Sequence, residues 1–202
     1  PPSKSMAHRM LICAGLSKGK CVVHGISESQ DVLATIECLE AIGAKCTRQG
    51  DSITVEGTDV KNSVPLKRLY CNESGSTLRF FVPLCLVSGR EVVLTGSQRL
   101  LERPLGIYKT LCDERSLLFI QEEDGVIVRG PLSAGCFKLA GNVSSQFISG
   151  LLFALPLLDG DSKLTITPPI ESRSYIDMTI QALALFGVKA EWTDENTIFI
   201  NR

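Results

Sequence analysis

The sequence predicts an α/β fold in which a β-α-β-α-β-β unit occurs three times around a pseudo-threefold axis. Three observations lead there. Apolar residues switch between the helical and the extended period in one recurring order along the 202 residues. Leu39, Leu111 and Leu183 fall at matching places on the second helix of each unit, 72 residues apart each time. Ser5, Ser76 and Ser145 open the first helix of each unit, separated by 71 and 69 residues, so the repeat extends to the polar helix ends.

The first unit, about 1–57, lacks its leading strand. A helix is expected over 5–16, then a strand CVVHG and a helix over 31–43, which Gly43 ends as a C-terminal cap. Strands 44–49 and 52–57 follow, joined by a Gly50-Asp51 hairpin turn. The second unit, about 66–130, reads as strand 67–71, helix 75–88, strand 91–96, helix 102–114 and strands 116–122 and 125–130. The third, about 135–202, reads as strand 136–141, helix 144–158, strand 163–168, helix 175–187 and strands 188–193 and 196–201. All three make one domain, 1–202.

Composition narrows the function. At 44% hydrophobic and 21% charged, the chain is of ordinary globular type. A net charge of −1 excludes the broad basic face of a nucleic-acid binder, so an anion site has to be a local cluster. The longest apolar stretch, FISGLLFALPLL, has 12 residues and a proline, short of the roughly 20 that span a membrane. With no signal-peptide pattern either, a cytoplasmic protein without a membrane partner is expected. The eight cysteines contain no CxxC pair and mostly sit among apolar neighbours, which predicts buried thiols in a reducing compartment. His8 and His24 fit neither HxxxH nor HExxH, so no metal and no other cofactor is expected.

The helix openings read SKSMAHR, ESGSTLR and NVSSQF, each a small-polar cluster before an apolar helix. Such residues leave first-turn N–H groups free or cap them with a hydroxyl. A pseudo-threefold axis lets the three positive helix ends converge on one anion. Lys4, Arg9 and Arg79 lie in or just beyond these first turns, where the helix dipole disfavours cations unless an anion offsets them. Small anionic metabolites are the expected ligands.

In order and spacing, SKSMAHR, ESGSTLRF, LERPLG, NVSSQF and SRSYIDMT resemble the motifs of the EPSP synthase family, the 3-phosphoshikimate 1-carboxyvinyltransferases of the shikimate pathway to chorismate and the aromatic amino acids. The resemblance covers nearly the whole chain and about half of the family's two-domain enzyme. It implies the family's N-terminal domain, an inside-out α/β barrel, cut at both interdomain crossings. Such a cut accounts for the absent initiator methionine and first strand. It also implies a missing C-terminal domain as partner, a monomeric parent and no cofactor.

The family's reaction transfers the enolpyruvyl group of phosphoenolpyruvate to the 5-hydroxyl of shikimate 3-phosphate. The resemblance implies that Lys4 touches both substrates and stabilises charge as the catalytic residue of this half. Ser5, Arg9, Ser144, Ser145, Gln146, Ser172 and Tyr175 match the shikimate 3-phosphate contacts, Arg9 facing the same side of its helix as Ser5. Gly75 and Arg103 match the phosphoenolpyruvate contacts, with Arg79 and Gln146 assisting. The acid/base carboxylates belong to the second domain, so the chain alone is expected to be inactive. Glyphosate occupies the phosphoenolpyruvate site in this family. Pro2 stands where a glycine is usual, Glu73 where many members have asparagine, and His8 where a small polar residue is usual. Two other classes fit part of the pattern. UDP-N-acetylglucosamine enolpyruvyl transferase shares the repeat fold but usually has a lysine–asparagine pair in place of Lys4-Ser5. A non-catalytic anion-binding repeat domain would use the same serines and arginines.

Overall fold

The computed structural model describes residues 3–63 and 68–202. Pro1, Pro2, Lys67 and the expected unit boundary at 66 lie outside them. Three separate sheets share one plan. The first holds β1 (Lys20–Val23), β2 (Lys45–Gln49) and β3 (Ser52–Glu56) in the order β1-β3-β2. The second holds β4 (Arg68–Tyr70), β5 (Glu91–Thr95), β6 (Leu118–Glu122) and β7 (Gly125–Arg129) in the order β4-β5-β7-β6. The third holds β8 (Cys136–Ala140), β9 (Ser162–Thr167), β10 (Ala190–Trp192) and β11 (Thr197–Ile200) in the order β10-β11-β9-β8. In the second and third sheets the leading strand runs parallel to the next one, while the closing hairpin is antiparallel. The first sheet has no counterpart of β4 or β8 among the described residues. The expected three-unit α/β fold is present, without a closed barrel of strands: among the described residues no strand of one sheet bonds to another sheet, and the three are joined through helices.

The first helices of the units are α1 (Lys4–Leu16), α3 (Gly75–Leu86) and α6 (Ser145–Ala154). Their capping hydroxyls come from Ser3, Ser74 and Ser144, which accept from Met6, Thr77 and Gln146 backbone N–H groups. The caps thus stand one or two residues ahead of the recurring Ser5, Ser76 and Ser145, which lie inside the first turns. α3 and α6 are apolar almost all round and form the centre of the core. Phe80 and Phe153 meet there edge to face, ring centroids 5.4 Å apart.

Two predicted helices are shorter than their apolar runs. The segment expected as helix 102–114 is helical only from Gly106, as α5 (Gly106–Glu114), because the residue before Pro104 disfavours helix; a separate one-turn helix, α4 (Gln98–Leu101), precedes the bend. α6 gives way to a 3-10 turn at Leu155–Leu157, where Pro156 has no N–H to continue the α ladder. The remaining helices are α2 (Gln30–Ala41) and α7 (Arg173–Leu185). Gly43 follows α2 at φ 108°, a left-handed position suited to glycine. Cys13, Cys38, Cys71, Cys85 and Cys112 are buried as expected. Cys136 is exposed, because alternate residues of β8 face outward.

The second helix of each unit makes a buried polar link to the first helices, α2 to one of them and α5 and α7 to two each. Thr35 of α2 shares a hydrogen bond with Thr77 of α3 at 2.9 Å. The Tyr108 hydroxyl of α5 donates to the Arg79 carbonyl of α3 (2.7 Å) and to the Phe147 carbonyl of α6 (3.0 Å). Thr179 of α7 donates to Ser149 of α6 (2.8 Å) and accepts from Arg9 of α1 (2.7 Å). Leu39, Leu111 and Leu183 are buried on the same three helices. This recurrence aims the N-termini of α1, α3 and α6 at one region.

At the α3–α6 crossing, a methyl on Gly150 would collide with the Arg79 carbonyl and the Tyr108 hydroxyl. Gly150→Ala is therefore expected to destabilise the chain by about 1–3 kcal/mol in urea denaturation. Gly106→Ala, with nothing within 4 Å of the new methyl, is expected to stay within about 0.5 kcal/mol of the parent. Equal midpoints for the two would refute the close crossing.

Candidate active site

The N-termini of α1, α3, α6 and α7 converge on one cleft of about 430 Å³. Its serines divide into two kinds. The Ser144 hydroxyl is engaged as the α6 cap. Among the described residues, the hydroxyls of Ser5, Ser145 and Ser172 make no hydrogen bond within the protein, although all three line the cleft. Ser172 adopts φ 53°, a left-handed conformation, and its side chain does not cap α7. Three unspent hydroxyls beside free first-turn N–H groups form a donor set suited to phosphate or carboxylate oxygens.

Arg9 is placed differently from a freely presented anion clamp. It is only 3% exposed, and its guanidinium is bound on nearly every side. Nε donates to Thr179 (2.7 Å), Nη1 to the Ser5 carbonyl (2.8 Å), and Nη2 to Ser149 (3.3 Å) and the Tyr175 carbonyl (3.1 Å). The rings of Phe80 and Tyr175 lie 5.5 and 5.8 Å from it. Burial lowers its pKa to about 10, against the opposing pull of Tyr175 and Cys13, so the group stays charged at neutral pH. Arg9 lends its charge to the cleft and fixes the backbone of Ser5 and Tyr175. Tyr175 is 44% exposed and offers its ring to the cleft.

Lys4 is the exposed cation of the cleft. It is half exposed and paired with Asp31, at the start of α2. Burial raises the Asp31 carboxyl, but hydrogen bonds from Lys4 and Ser74 outweigh it and hold the group below its ordinary range. Asp31 and Glu171 both line the cleft. Sequence reasoning missed them because neither belongs to a serine-rich opening. A first-turn position on α2, 27 residues after Lys4, signals only a capping acid. His8 also lines the cleft, four residues after Lys4 on the same helical face.

A second group of cations adjoins the first through Gln146. Arg79 Nη1 donates to the Gln146 side-chain oxygen at 2.7 Å, and its guanidinium lies 5.0 Å from the Phe147 ring. Burial lowers the Arg79 pKa first, and the like charge of Arg103 lowers it further. Arg103 packs directly on Gly75, in the space a side chain there would fill. Gln121 holds the Arg103 carbonyl at 2.9 Å and that of Leu101 at 2.6 Å, which fixes the bend. Gly75, Arg79 and Arg103 thus form a separate cluster, with Gln146 shared between it and the cleft. Glu73 is exposed and pairs with neither arginine.

The family model described as EPSP synthase (3-phosphoshikimate 1-carboxyvinyltransferase) matches residues 1–201. The chain belongs to the EPSP synthase family. A 3-phosphoshikimate 1-carboxyvinyltransferase of Clostridium perfringens is 45% identical over 190 residues, and one of Clostridium beijerinckii is 48% identical over 198. These matches cover 93% and 94% of this chain, which spans 45% of the length of each relative. The EPSP synthase of Acinetobacter baumannii is similar in fold, with a TM-score of 0.83 at 24% identity, over all of this chain and 45% of that one. Among the described residues, no helix of this family member is long and apolar enough to cross a membrane.

Burial lowers the His8 pKa from 6.5 to about 4; Lys4 and Arg9 act in the same direction and Asp31 against it. The folded state therefore favours the neutral ring. Its contribution to stability is complete above the unfolded pKa of 6.5 and is lost as pH falls towards about 4. The loss is on the order of 3 kcal/mol at most. Urea midpoints measured from pH 7.5 to 4 are expected to fall less steeply for His8→Gln than for the parent. Parallel profiles would exclude a buried neutral His8.

Proposed function

We propose that this chain is the N-terminal half of a two-domain 3-phosphoshikimate 1-carboxyvinyltransferase, a cytoplasmic and monomeric enzyme. It carries the shikimate 3-phosphate site and part of the phosphoenolpyruvate site. The observation that carries this reading is the pair of adjoining cationic clusters joined through Gln146, one rich in unspent hydroxyls and the other in guanidinium groups.

Shikimate 3-phosphate sits in the cleft. Ser5 and Ser145, with the first-turn N–H groups of α6, hold its phosphate, and Ser172 and the Tyr175 ring hold the hydroxylated ring. Arg9 acts beneath as a fixed charge. Phosphoenolpyruvate binds against Gly75, with Arg103 and Arg79 on its acidic groups. The 5-hydroxyl oxygen of shikimate 3-phosphate, losing its proton, attacks C2 of the enol while C3 gains a proton; the tetrahedral adduct then expels phosphate as C3 gives a proton up and the C2–C3 double bond re-forms. Lys4, a compact ammonium on a flexible stem, leaves Asp31 to follow the negative charge from enol phosphate to leaving group. Proton transfer falls to carboxylates of the C-terminal domain, so this half binds without turning over.

The decisive experiment is titration of the isolated chain with shikimate 3-phosphate, followed by amide chemical shifts. Shifts at Ser5 and Ser145 without product formation are expected, and Ser145→Ala should weaken binding about 10- to 100-fold through loss of a hydrogen bond to a charged group. No shift at either serine, or turnover by the isolated chain, would overturn the reading.

A methyl at Gly75 would strike Arg103 Nη1 before reaching a ligand. In the full-length parent, Gly75→Ala is expected to raise the KM for phosphoenolpyruvate about tenfold and to relieve inhibition by glyphosate. Unchanged values for both would remove Gly75 and Arg103 from that subsite.

A further inference from the structure

His8 is 4% exposed, yet only one of its ring nitrogens is satisfied. Nδ1 lies 3.3 Å from the Ser76 hydroxyl, which continues to the α3 cap, Ser74, at 3.2 Å. Nε2 is buried and has no hydrogen-bond partner among the described residues. Native proteins leave few such atoms unpaired, so each calls for a cause. The tautomer with its proton on Nδ1 donates to Ser76 and leaves Nε2 as an unpaired acceptor at the wall of the cleft.

The charges acting on this ring come from two helices. Lys4 and Arg9 of α1 oppose its protonation, and Asp31 of α2 favours it. From α3 the ring meets the uncharged Ser76. Elsewhere on the cleft, α6 contributes no charged group, while Glu171 and Tyr175 lie at and just inside the start of α7. Arg9 is locked in place by its own hydrogen bonds, but Lys4 is held only by Asp31. An anion at the helix ends competes with Asp31 for that ammonium. Once Lys4 turns to the anion, its charge is spent and Asp31 is left unpaired, so both changes favour a cation at His8.

We propose that His8 is a proton-linked positioning residue: anion binding draws Lys4 from Asp31 to the ligand, and a proton taken from solvent at Nε2 of His8 replaces Lys4 as the counter-charge of Asp31. Protonation at Nε2 leaves the Nδ1–H bond to Ser76 in place, so the start of α3 stays tied to α1 while Lys4 moves. This inference rests on the anion-binding reading of the cleft and adds a proton to it.

Sulfate is a suitable probe, because it remains a dianion between pH 8 and 5. The isotope-labelled chain is titrated over that range in saturating sulfate and in chloride of matched ionic strength. The imidazole C–H signals of His8 and the amides of Ser5 and Ser145 are followed. His24, exposed and bonded to Ser52, is the internal reference for general ionic effects. Sulfate is expected to shift both amides and to raise the His8 midpoint by one pH unit or more, without a matching change at His24. Sulfate affinity should then rise about tenfold on the acid side. His8→Gln should bind sulfate with an affinity that no longer follows pH. Asp31→Asn, altered at a group near the surface, should keep the amide shifts and lose the rise at His8. Amide shifts with the same His8 midpoint in sulfate and chloride would overturn the inference and leave the anion site standing. Absence of amide shifts would overturn both.

Discussion

The guanidinium of Arg9 is buried at the junction of α1, α6 and α7 with no carboxylate partner among the described residues. Taking a charge out of water costs several kcal/mol, and here four hydrogen bonds and two aromatic faces offset that cost instead of an ion pair. Much of the cleft geometry depends on the arrangement. The carbonyls of Ser5 and Tyr175 are both acceptors for this one group, so the first turns of α1 and α7 are fixed relative to each other. The charge, lacking a counter-ion below, acts upward on the cleft. A well-formed ion pair at the same place would have neutralised it.

The unequal use of serine follows from the same economy of donors. Ser3, Ser74 and Ser144 satisfy helix N–H groups and are committed to folding. Their neighbours Ser5 and Ser145 are left over, inside the first turn, where the backbone already has helical geometry. Caps and free hydroxyls stand one or two residues apart at both openings. α3 departs from this, because the Ser76 hydroxyl is taken up by Ser74 and His8. That opening leaves no free hydroxyl to the cleft, and its Gly75 belongs with Arg103 to the adjoining cluster.

Much of this was legible in the sequence. The three-unit order, the matching leucines, Gly43 and the polar helix openings each follow from local chemistry, and the structure agrees. Helix ends were read less well where a proline interrupts an apolar run, as at Arg103-Pro104 and Pro156, since periodicity alone continues across the break. At the candidate site, the motifs pointed to the serines, Gly75, Gln146 and the arginines, which the structure brings into two adjoining clusters. Motif spacing could not tell a capping serine from a free one, nor show that Arg9 is locked by Thr179, 170 residues away. Asp31 and Glu171 were missed because a carboxylate at the start of a helix is ordinary. Their meaning comes only from what long-range packing sets beside them.

Among the described residues, β1 differs from its counterparts β5 and β9 in having a bonded neighbour on one side only. Val22, half exposed on β1, gives this strand's edge an apolar character. Lys20, which pairs with Glu56, is the charge on β1 that discourages a second copy from zipping on. Among the described residues the three sheets thus differ in one respect: a parallel leading strand flanks β5 and β9, and none flanks β1, where Lys20 is the charge along the edge.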